Sequence, residues 1–560
     1  MSGILRVAVF VAFAAWLSIH FAGAAGAADD DSGEPFVSAV RAFADTVLTH
    51  GRDGYGPQKT PLFVDGLEVE SLEPARWQNS GQTWVLSNFA SQQPLFRLLD
   101  GLTGLTGEAR YRQAAEEAAR YALKHLRTPN GLLYWGGHLA WDLETEKPVG
   151  QGADTHELKT HQPYFELMWR VDPEATRRLM ETIWAGHVLD WARLDYNRHA
   201  NAKKLVRPQW DAAFLENIEV PFPAEGGHLS FANVTPPLLR AGTMLAVLGD
   251  DGEALTWTRR LLHRWQQGKD PRTGLCGGQL SYRAEDRARD ALGHVHPAIN
   301  EAKIVASYHQ TSRYHHLPLA QMQAGEALIA AGGERAEQGR EFIDWALADL
   351  TVYAQRSYDP ASGTFIALMT DGTPLRWQEA KTGYYVPESF APLAPDGVLL
   401  WSYATACRLG SEEVHWQMAR AIAKALDLGE IGERNGARAL RHETNEAGWH
   451  VIYALLELHR ATGDRQFLQL ARRVGENVAK LQTPSGLFPR PGRTHARTGD
   501  EVPLALLHLA AVLAGQSSVL PPPTLDSRFF HCEYHGPLAP HQQKRADKRT
   551  YDHLVYYGGP

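Results

Sequence analysis

The chain has 560 residues, 44% hydrophobic and 21% charged, with 50 Gly and 32 Pro. That is a globular composition, and it excludes a disordered, collagenous or coiled-coil protein. With 56 basic against 64 acidic residues the net charge is −8, so no basic surplus points to nucleic acid. Any grip on an acidic substrate must come from a local cluster.

At the N-terminus, Arg6 precedes an apolar stretch from Val7 to about Ala25, ending in AGAAGAA before an acidic DDD. A basic n-region, an apolar core and small residues predict a secretory signal over residues 1–28, cleaved near Ala28. His20 and the Gly/Ala run weaken the alternative of a membrane anchor. No later segment offers about 18 uninterrupted apolar residues. The mature product is expected in the periplasm or secreted, with no stable membrane anchor.

From residue 29 to 515 a degenerate repeat organises the chain. Units open at Thr106 (TGEARYRQAAEEAARYALKHLRTPNG), Gly249 (GDDGEALTWTRRLLHRWQQGKDPRTG), Gly332 (GGERAEQGREFIDWALADL) and Thr462 (TGDRQFLQLARRVGENVAKLQTPSG). Each has a Gly–acid turn, an amphipathic helical pattern and a Pro or Ser before a Gly. The glycine pairs Gly107/Gly131, Gly249/Gly274 and Gly463/Gly486 are separated by 24, 25 and 23 residues. The segments before each turn are also helical and apolar, so one helix enters the turn and the next returns. Serial helical hairpins bury their faces by stacking into a closed toroid or an open solenoid. The expected fold is an all-α, α/α toroid (barrel) of about six to seven hairpins, with short strands or loops lining one end as a cleft. Beyond Gly515, residues 516–560 lack helical periodicity and read as an irregular extension, in which FFHCEY and YDHLVYY are segments able to dock back on the body. Cys276, Cys407 and Cys532 are odd in number and far apart, which argues against both a disulfide framework and a thiolate metal site.

Polar groups concentrate in three segments: Tyr134–Asp142, Asp154–His161 and Asp195–Lys204. The middle one, DTHELKTH, is not a zinc helix, because His156 and His161 are five apart and point about 140° from each other on a helix. Alone, His156, Glu157 and His161 read as surface or capping groups. His138 follows Gly136 and Gly137, which let the backbone approach a ligand. His199 follows Arg198 in a nearly apolar-free stretch. Two imidazoles and one carboxylate suit Mn, Co, Ni or Zn better than Ca.

The segments LSNFASQQPLFRLL, GLLYWGGHLAWDLET, THELKTHQPYFELMWRVDPEAT and LDYNRHANA, in that order, resemble polysaccharide lyase family two, the periplasmic pectate lyases. The match is dense from Arg52 to Lys204 and thinner afterwards. The resemblance implies an α/α barrel and β-elimination on polygalacturonate or oligogalacturonates. It also implies a divalent transition metal, with Mn, Co or Ni favoured over Ca, held by His138, Glu157 and His199. Arg198, immediately before the second His, is the implied Brønsted base. Glu157 stands two residues closer to His138 than the family pattern, which leaves His156 and His161 as alternative ligands. An arginine is normally a cation with a pKa above about 12, so the base role requires neighbouring positive charge. The competing role for Arg198 is a bidentate carboxylate clamp.

Arg52, Lys203, Lys204 and Arg207 are candidates to pair uronate carboxylates, though each taken singly reads first as an ordinary solvated charge. Trp135 and Trp141, with Tyr134, are candidates for a sugar-stacking platform, with core packing as the alternative. His294, His296, His309, His315 and His316 match no motif and read as structural. The rival functions are another α/α-toroid carbohydrate enzyme, either a uronide glycoside hydrolase or a sugar epimerase, and a non-catalytic polysaccharide-binding protein.

Overall fold

The computed structural model describes residues 33–536, apart from 80, 151–153, 159–161, 225–227, 284–292, 294–295, 307–312, 377–389 and 526–531. The proposed signal segment, His161, His294, His309 and the YDHLVYY segment therefore lie outside the described residues.

Fourteen α-helices run through the described residues: α1 (Glu34–His50), α2 (Gln93–Thr106), α3 (Ala109–His125), α4 (Phe165–Val171), α5 (Pro173–His187), α6 (Thr235–Gly249), α7 (Gly252–Gln267), α8 (Arg313–Ala331), α9 (Glu334–Ser357), α10 (Gly397–Leu409), α11 (Glu413–Ala425), α12 (Trp449–Thr462), α13 (Arg465–Ala479) and α14 (Val502–Leu513). The repeat turns become the hairpin bends. At the first, α2 ends and Gly107 takes φ 76°, donating its N–H to Thr103. That left-handed conformation is one a side chain resists. Asp251 and Asp464 then start their returning helices as N-caps, accepting from the backbone N–H of Ala254 and Gln466.

Burial separates two rings. α2 is buried continuously from Gln93 to Thr103, α6 from Thr235 to Ala246, and α14 from Pro503 to Ala511. In contrast α3 buries a stripe of Tyr111, Ala114, Ala115, Ala118, Ala119 and Ala122, the signature of a helix with one wet face. The even-numbered helices form an inner ring in which, from α4 onward, each packs on the next, and α14 closes it against α2. Between α2 and α4 the link is polar: Gln93 accepts from the Tyr164 N–H at 2.7 Å, and Arg97 donates to the Gln162 carbonyl at 2.7 Å. α3, α5, α7, α9, α11 and α13 lie outside their hairpin partners, and α1 completes the outer ring by packing on α14. This is the all-α toroid expected, with seven inner–outer pairs.

The strands of the described residues are two or three residues long and form no closed sheet. After Gly515 the chain runs back over α2, where Gly101 and Gly104 leave room for Leu520, Pro521 and Val519. Residues 533–534 then add an edge strand to the hairpin at 77–84. All three cysteines are buried free thiols.

Candidate metal centre

Five short strands build the site: β1 (Leu86–Ser87), β2 (Ala140–Asp142), β3 (Lys147–Val149), β4 (Thr155–Glu157) and β5 (His199–Asn201). β1, β2 and β3 form one antiparallel sheet, which carries the segment just after His138. β4 and β5 pair antiparallel with Glu157 opposite His199 and His156 opposite Ala200. Gly136 bridges Glu157 from a third direction. Residues far apart in the chain thus meet because three loop segments at one end of the helices zip together.

The helical spacing weighed for DTHELKTH does not apply, since Thr155–Glu157 is extended. Adjacent strand residues point to opposite faces. Glu157 therefore faces His138 and His199, while His156 turns the other way. The Nε2 atoms of His138 and His199 are 3.2 Å apart, and the Glu157 oxygens lie 3.6 Å from His138 Nε2 and 3.5 Å from His199 Nε2. Ligand atoms about 2.1 Å from one cation are separated by roughly 3.0–3.4 Å, so the donor set comes close to the spacing that one metal ion requires. Glu157 is fully buried. Gly137 makes room for it, since a Cβ there would stand 1.8 Å from Glu157 Oε2. Among the described residues this is the only cluster of three or more His, Cys, Asp or Glu side chains arranged to hold a metal.

Arg198 lies against the cluster. Its Nε is 3.2 Å from His199 Nε2 and 3.4 Å from Glu157 Oε1, and its guanidinium carbon is 5.7 Å from the Phe231 ring centre. Its carbonyl accepts from the Leu158 N–H at 2.8 Å, extending the β4–β5 pairing by one step.

Behind the site, His156 Nε2 accepts from the Trp135 indole N–H at 2.7 Å, and His156 Nδ1 lies 2.9 Å from His187 Nε2. His187 Nδ1 lies 2.8 Å from the Asn197 carbonyl. Burial pushes the His187 imidazole down to about 3. Trp135 is wholly buried and presents no face to a sugar. Trp141 is half-buried on β2, paired across to Ser87 and Pro148, with its ring 6.1 Å from that of Tyr134.

The four basic candidates separate. Arg52 donates to the Pro61 carbonyl at 2.7 Å, pairs with Glu117 at 3.3 Å and covers Phe63. Lys203 pairs with Asp154 at 2.7 Å. Lys204 and Arg207 line a cavity of about 590 Å³ that also takes in His199, Asn197 and His228. Asn197 and His228, with side chains 3.0 Å apart, were not singled out by sequence reasoning. Nor was His187, the last residue of α5; Asn197 falls inside LDYNRHANA without a role of its own, and no motif marks His187 or His228. Of the unassigned histidines, His315 sits 2.7 Å from Asp396 and 3.0 Å from His316, and His296 accepts from the Ala298 N–H.

The chain is 26% identical over 532 residues to a pectate disaccharide-lyase of Dickeya dadantii (strain 3937), covering 90% of this chain and 93% of the relative. Among solved structures it is similar to cellobiose 2-epimerase from Bacillus thermoamylovorans B4167, at 11% identity, TM-score 0.40, and coverage of 86% of this chain and 100% of that one. It is similar also to the GH76 α-mannanase BT2949 of Bacteroides thetaiotaomicron, at 10% identity, TM-score 0.39, and coverage of 86% and 96%. Likenesses of that degree say nothing of the reaction. No described helix is long and apolar enough to cross a membrane. The sequence model described as periplasmic pectate lyase matches residues 60–533, in agreement with the periplasmic or secreted destination expected. The chain belongs to the periplasmic pectate lyase family and is a polysaccharide lyase.

Proposed function

We propose that the chain cleaves de-esterified polygalacturonate or oligogalacturonates by β-elimination, leaving 4,5-unsaturated ends. His138, Glu157 and His199 would hold a divalent transition metal, and Arg198 would act as the Brønsted base. The observation that supports this best is the convergence of two imidazole nitrogens, one buried carboxylate and an adjacent arginine in a chain of this family. Two imidazoles with one carboxylate favour Mn, Co or Ni over Ca.

Elimination takes the proton α to the uronate carboxylate and expels the O4 oxygen. When bound, the cation neutralises that carboxylate, stabilises the developing enediolate and disfavours a second positive charge on the guanidinium beside it. Arg198 stands at the cluster's edge, and β5 fixes the backbone that carries it. Lys204 and Arg207, in the cavity beside His199, would pair neighbouring uronate carboxylates. The acidic substrate thus meets local positive charge on a protein of net charge −8.

A glycoside hydrolase would need two carboxylates placed across the cleft. Of the two aspartates near Glu157 in sequence or site, Asp195 is buried and accepts the Ser230 hydroxyl at 2.6 Å, with burial raising its pKa. Asp154 is engaged by Lys203. Both carboxylates are engaged with other side chains.

The test is turnover of polygalacturonate, followed by the ultraviolet absorbance of the unsaturated product, before chelation, after it, and after refilling with single metals. Activity should vanish on chelation and return better with Mn, Co or Ni than with Ca. Reducing ends without unsaturated product would mark a hydrolase, and binding without turnover a carbohydrate-binding protein. Equal activity on highly methyl-esterified pectin would defeat the carboxylate–metal reading.

A further inference from the structure

We infer that His156 and His187 are positioning residues: they form a buried hydrogen-bonded line that holds the three ligand-bearing segments in register beneath the metal centre. The inference rests on the metal-site reading above and concerns residues that touch neither the metal nor the substrate.

The line runs Trp135, His156, His187, Asn197, with links of 2.7, 2.9 and 2.8 Å. Its direction is fixed by its ends. An indole N–H only donates, so His156 Nε2 accepts and the ring's proton sits on Nδ1. A carbonyl only accepts, so His187 carries its proton on Nδ1 and receives the His156 proton at Nε2. Both rings are neutral, and each permits one tautomer, assigned from the hydrogen-bond network. Every ring nitrogen is used.

Each anchor lies beside a ligand in sequence. Trp135 is three residues before His138, His156 is one before Glu157, and Asn197 is two before His199. Asn197 is gripped twice, because its own N–H donates to the His187 carbonyl at 2.9 Å. On β4 the His156 ring and the Glu157 carboxylate leave opposite faces of one short strand, so fixing the ring fixes the carboxylate. Trp135, His156 and His187 are all fully buried. Apolar side chains would fill that space without the penalty of desolvating two imidazoles. What the imidazoles add is direction: a fully satisfied polar line admits one arrangement. Ligand atoms must converge within about 0.5 Å to hold a metal well, and three strands of two or three residues do not provide that alone.

The experiment uses the full chain, with Mn²⁺ as the probe. His187→Leu removes both links at similar size; His187→Gln keeps one acceptor and one donor. We expect Mn²⁺ affinity to fall about 10–100-fold in His187→Leu, the usual cost of losing an outer hydrogen-bonding partner. The electron paramagnetic resonance spectrum of bound Mn²⁺ should change, and kcat should fall with KM for a short oligogalacturonate little altered. His187→Gln should recover part of each. If His187→Leu keeps the parent's Mn²⁺ affinity, spectrum and kcat while losing only melting temperature, the pair is packing and the inference is overturned. A Gln variant no better than Leu also overturns it, since hydrogen bonding would not be the cause. Should His187→Leu not fold, Trp135→Phe removes the indole N–H together with the five-membered part of the ring and keeps a six-membered aromatic ring in place. It should weaken Mn²⁺ severalfold, and unchanged affinity and spectrum there overturn the inference. Failure of the metal reading itself looks different: the parent chain would show no specific Mn²⁺ site, or Glu157→Gln would bind Mn²⁺ as the parent does.

Discussion

Glu157 and His199 stand directly opposite each other on two antiparallel strands, so backbone register places the carboxylate against the imidazole. A slip of one residue would flip Glu157 to the far face and bring His156 in its place. The proposed metal centre would thus be specified by strand pairing as much as by residue type.

Glu157→Gln keeps the shape and removes the charge. We expect metal content to fall by at least the ~100-fold in affinity that an outer partner can cost, with lyase activity falling in step and the helical circular dichroism unchanged. Elemental analysis after gel filtration measures it. Full metal retention in a triple alanine variant of His138, Glu157 and His199 would show that the ligands lie elsewhere.

Gly137→Ala is predicted to damage the site while sparing the fold. The new methyl would stand 1.8 Å from Glu157 Oε2, so the carboxylate must leave its place between the histidines. Metal binding should drop sharply while the melting temperature moves by a few degrees, roughly 1 kcal/mol of stability. An alanine variant with normal metal affinity would contradict the geometry.

Arg198→Ala should lower kcat by about a hundredfold or more, within the span of general-base catalysis, with metal content and substrate affinity little changed. Arg198→Lys keeps charge but loses the planar fork and the reach. A raised KM with near-normal kcat in the Lys variant would make Arg198 a clamp and send the search for a base to other groups of the cleft.

Lys204→Ala and Arg207→Ala should raise KM for oligogalacturonate about tenfold each, the equivalent of one charge-assisted hydrogen bond at ~1.4 kcal/mol. Lys203→Ala and Arg52→Ala should change KM little, because those side chains are engaged with Asp154 and Glu117. Steady-state kinetics on a defined trimer distinguishes the two pairs, and the reverse ranking would relocate the substrate groove.

Acid should destabilise the protein well before its carboxylates titrate. Burial pushes the imidazoles of His187, His495 and His508 down to about 3, so all three are neutral in the fold. Unfolded histidine titrates near 6.5. As pH falls below that value the unfolded chain takes up protons that the native state refuses. Stability then declines by about 1.4 kcal/mol per pH unit for each histidine until the folded pKa is reached; above about 6.5 this contribution is complete and flat. Melting curves from neutral pH downward should show the slope, and His508→Leu should make it shallower by one histidine's share, with His316, His415 and His450 adding to the rest in the same direction. A melting temperature unchanged across that range would mean that these imidazoles are not neutral and buried.

The helices were legible because their punctuation is chemical. Gly107 and Gly463 bend the chain, Asp251 and Asp464 cap the returning helices, and alanine-rich stripes such as Ala114–Ala122 mark an outer helix. The site strands were not, since three residues show no alternation and DTHELKTH was weighed by a helical period. His156 and Glu157, read alone as surface or capping groups, are both buried. The partners that explain them, His187 and Gly137, sit at a helix end and in a glycine pair whose meaning depends on which side chain crosses it. Trp135 and Trp141 show the same limit. An aromatic beside a glycine loop suits a sugar platform or a core equally, and burial alone separates Trp135 from Trp141. Closure of the ring by α1 left no mark in the repeat, because its partner lies at the opposite end of the chain.

That closure ties the timing of assembly to the length of the chain. The face of α1 formed by Phe36, Val40, Phe43, Ala44 and Val47 is covered only once the C-terminal segments Arg465–Ala479, Phe488 and Val502–Leu513 exist. Until then the first helix is a sticky surface waiting through almost the whole of synthesis, and the barrel is a horseshoe. Joining the two ends and reopening the chain at another hairpin bend would let α14 and α1 form consecutively, turning the longest wait in the molecule into the shortest.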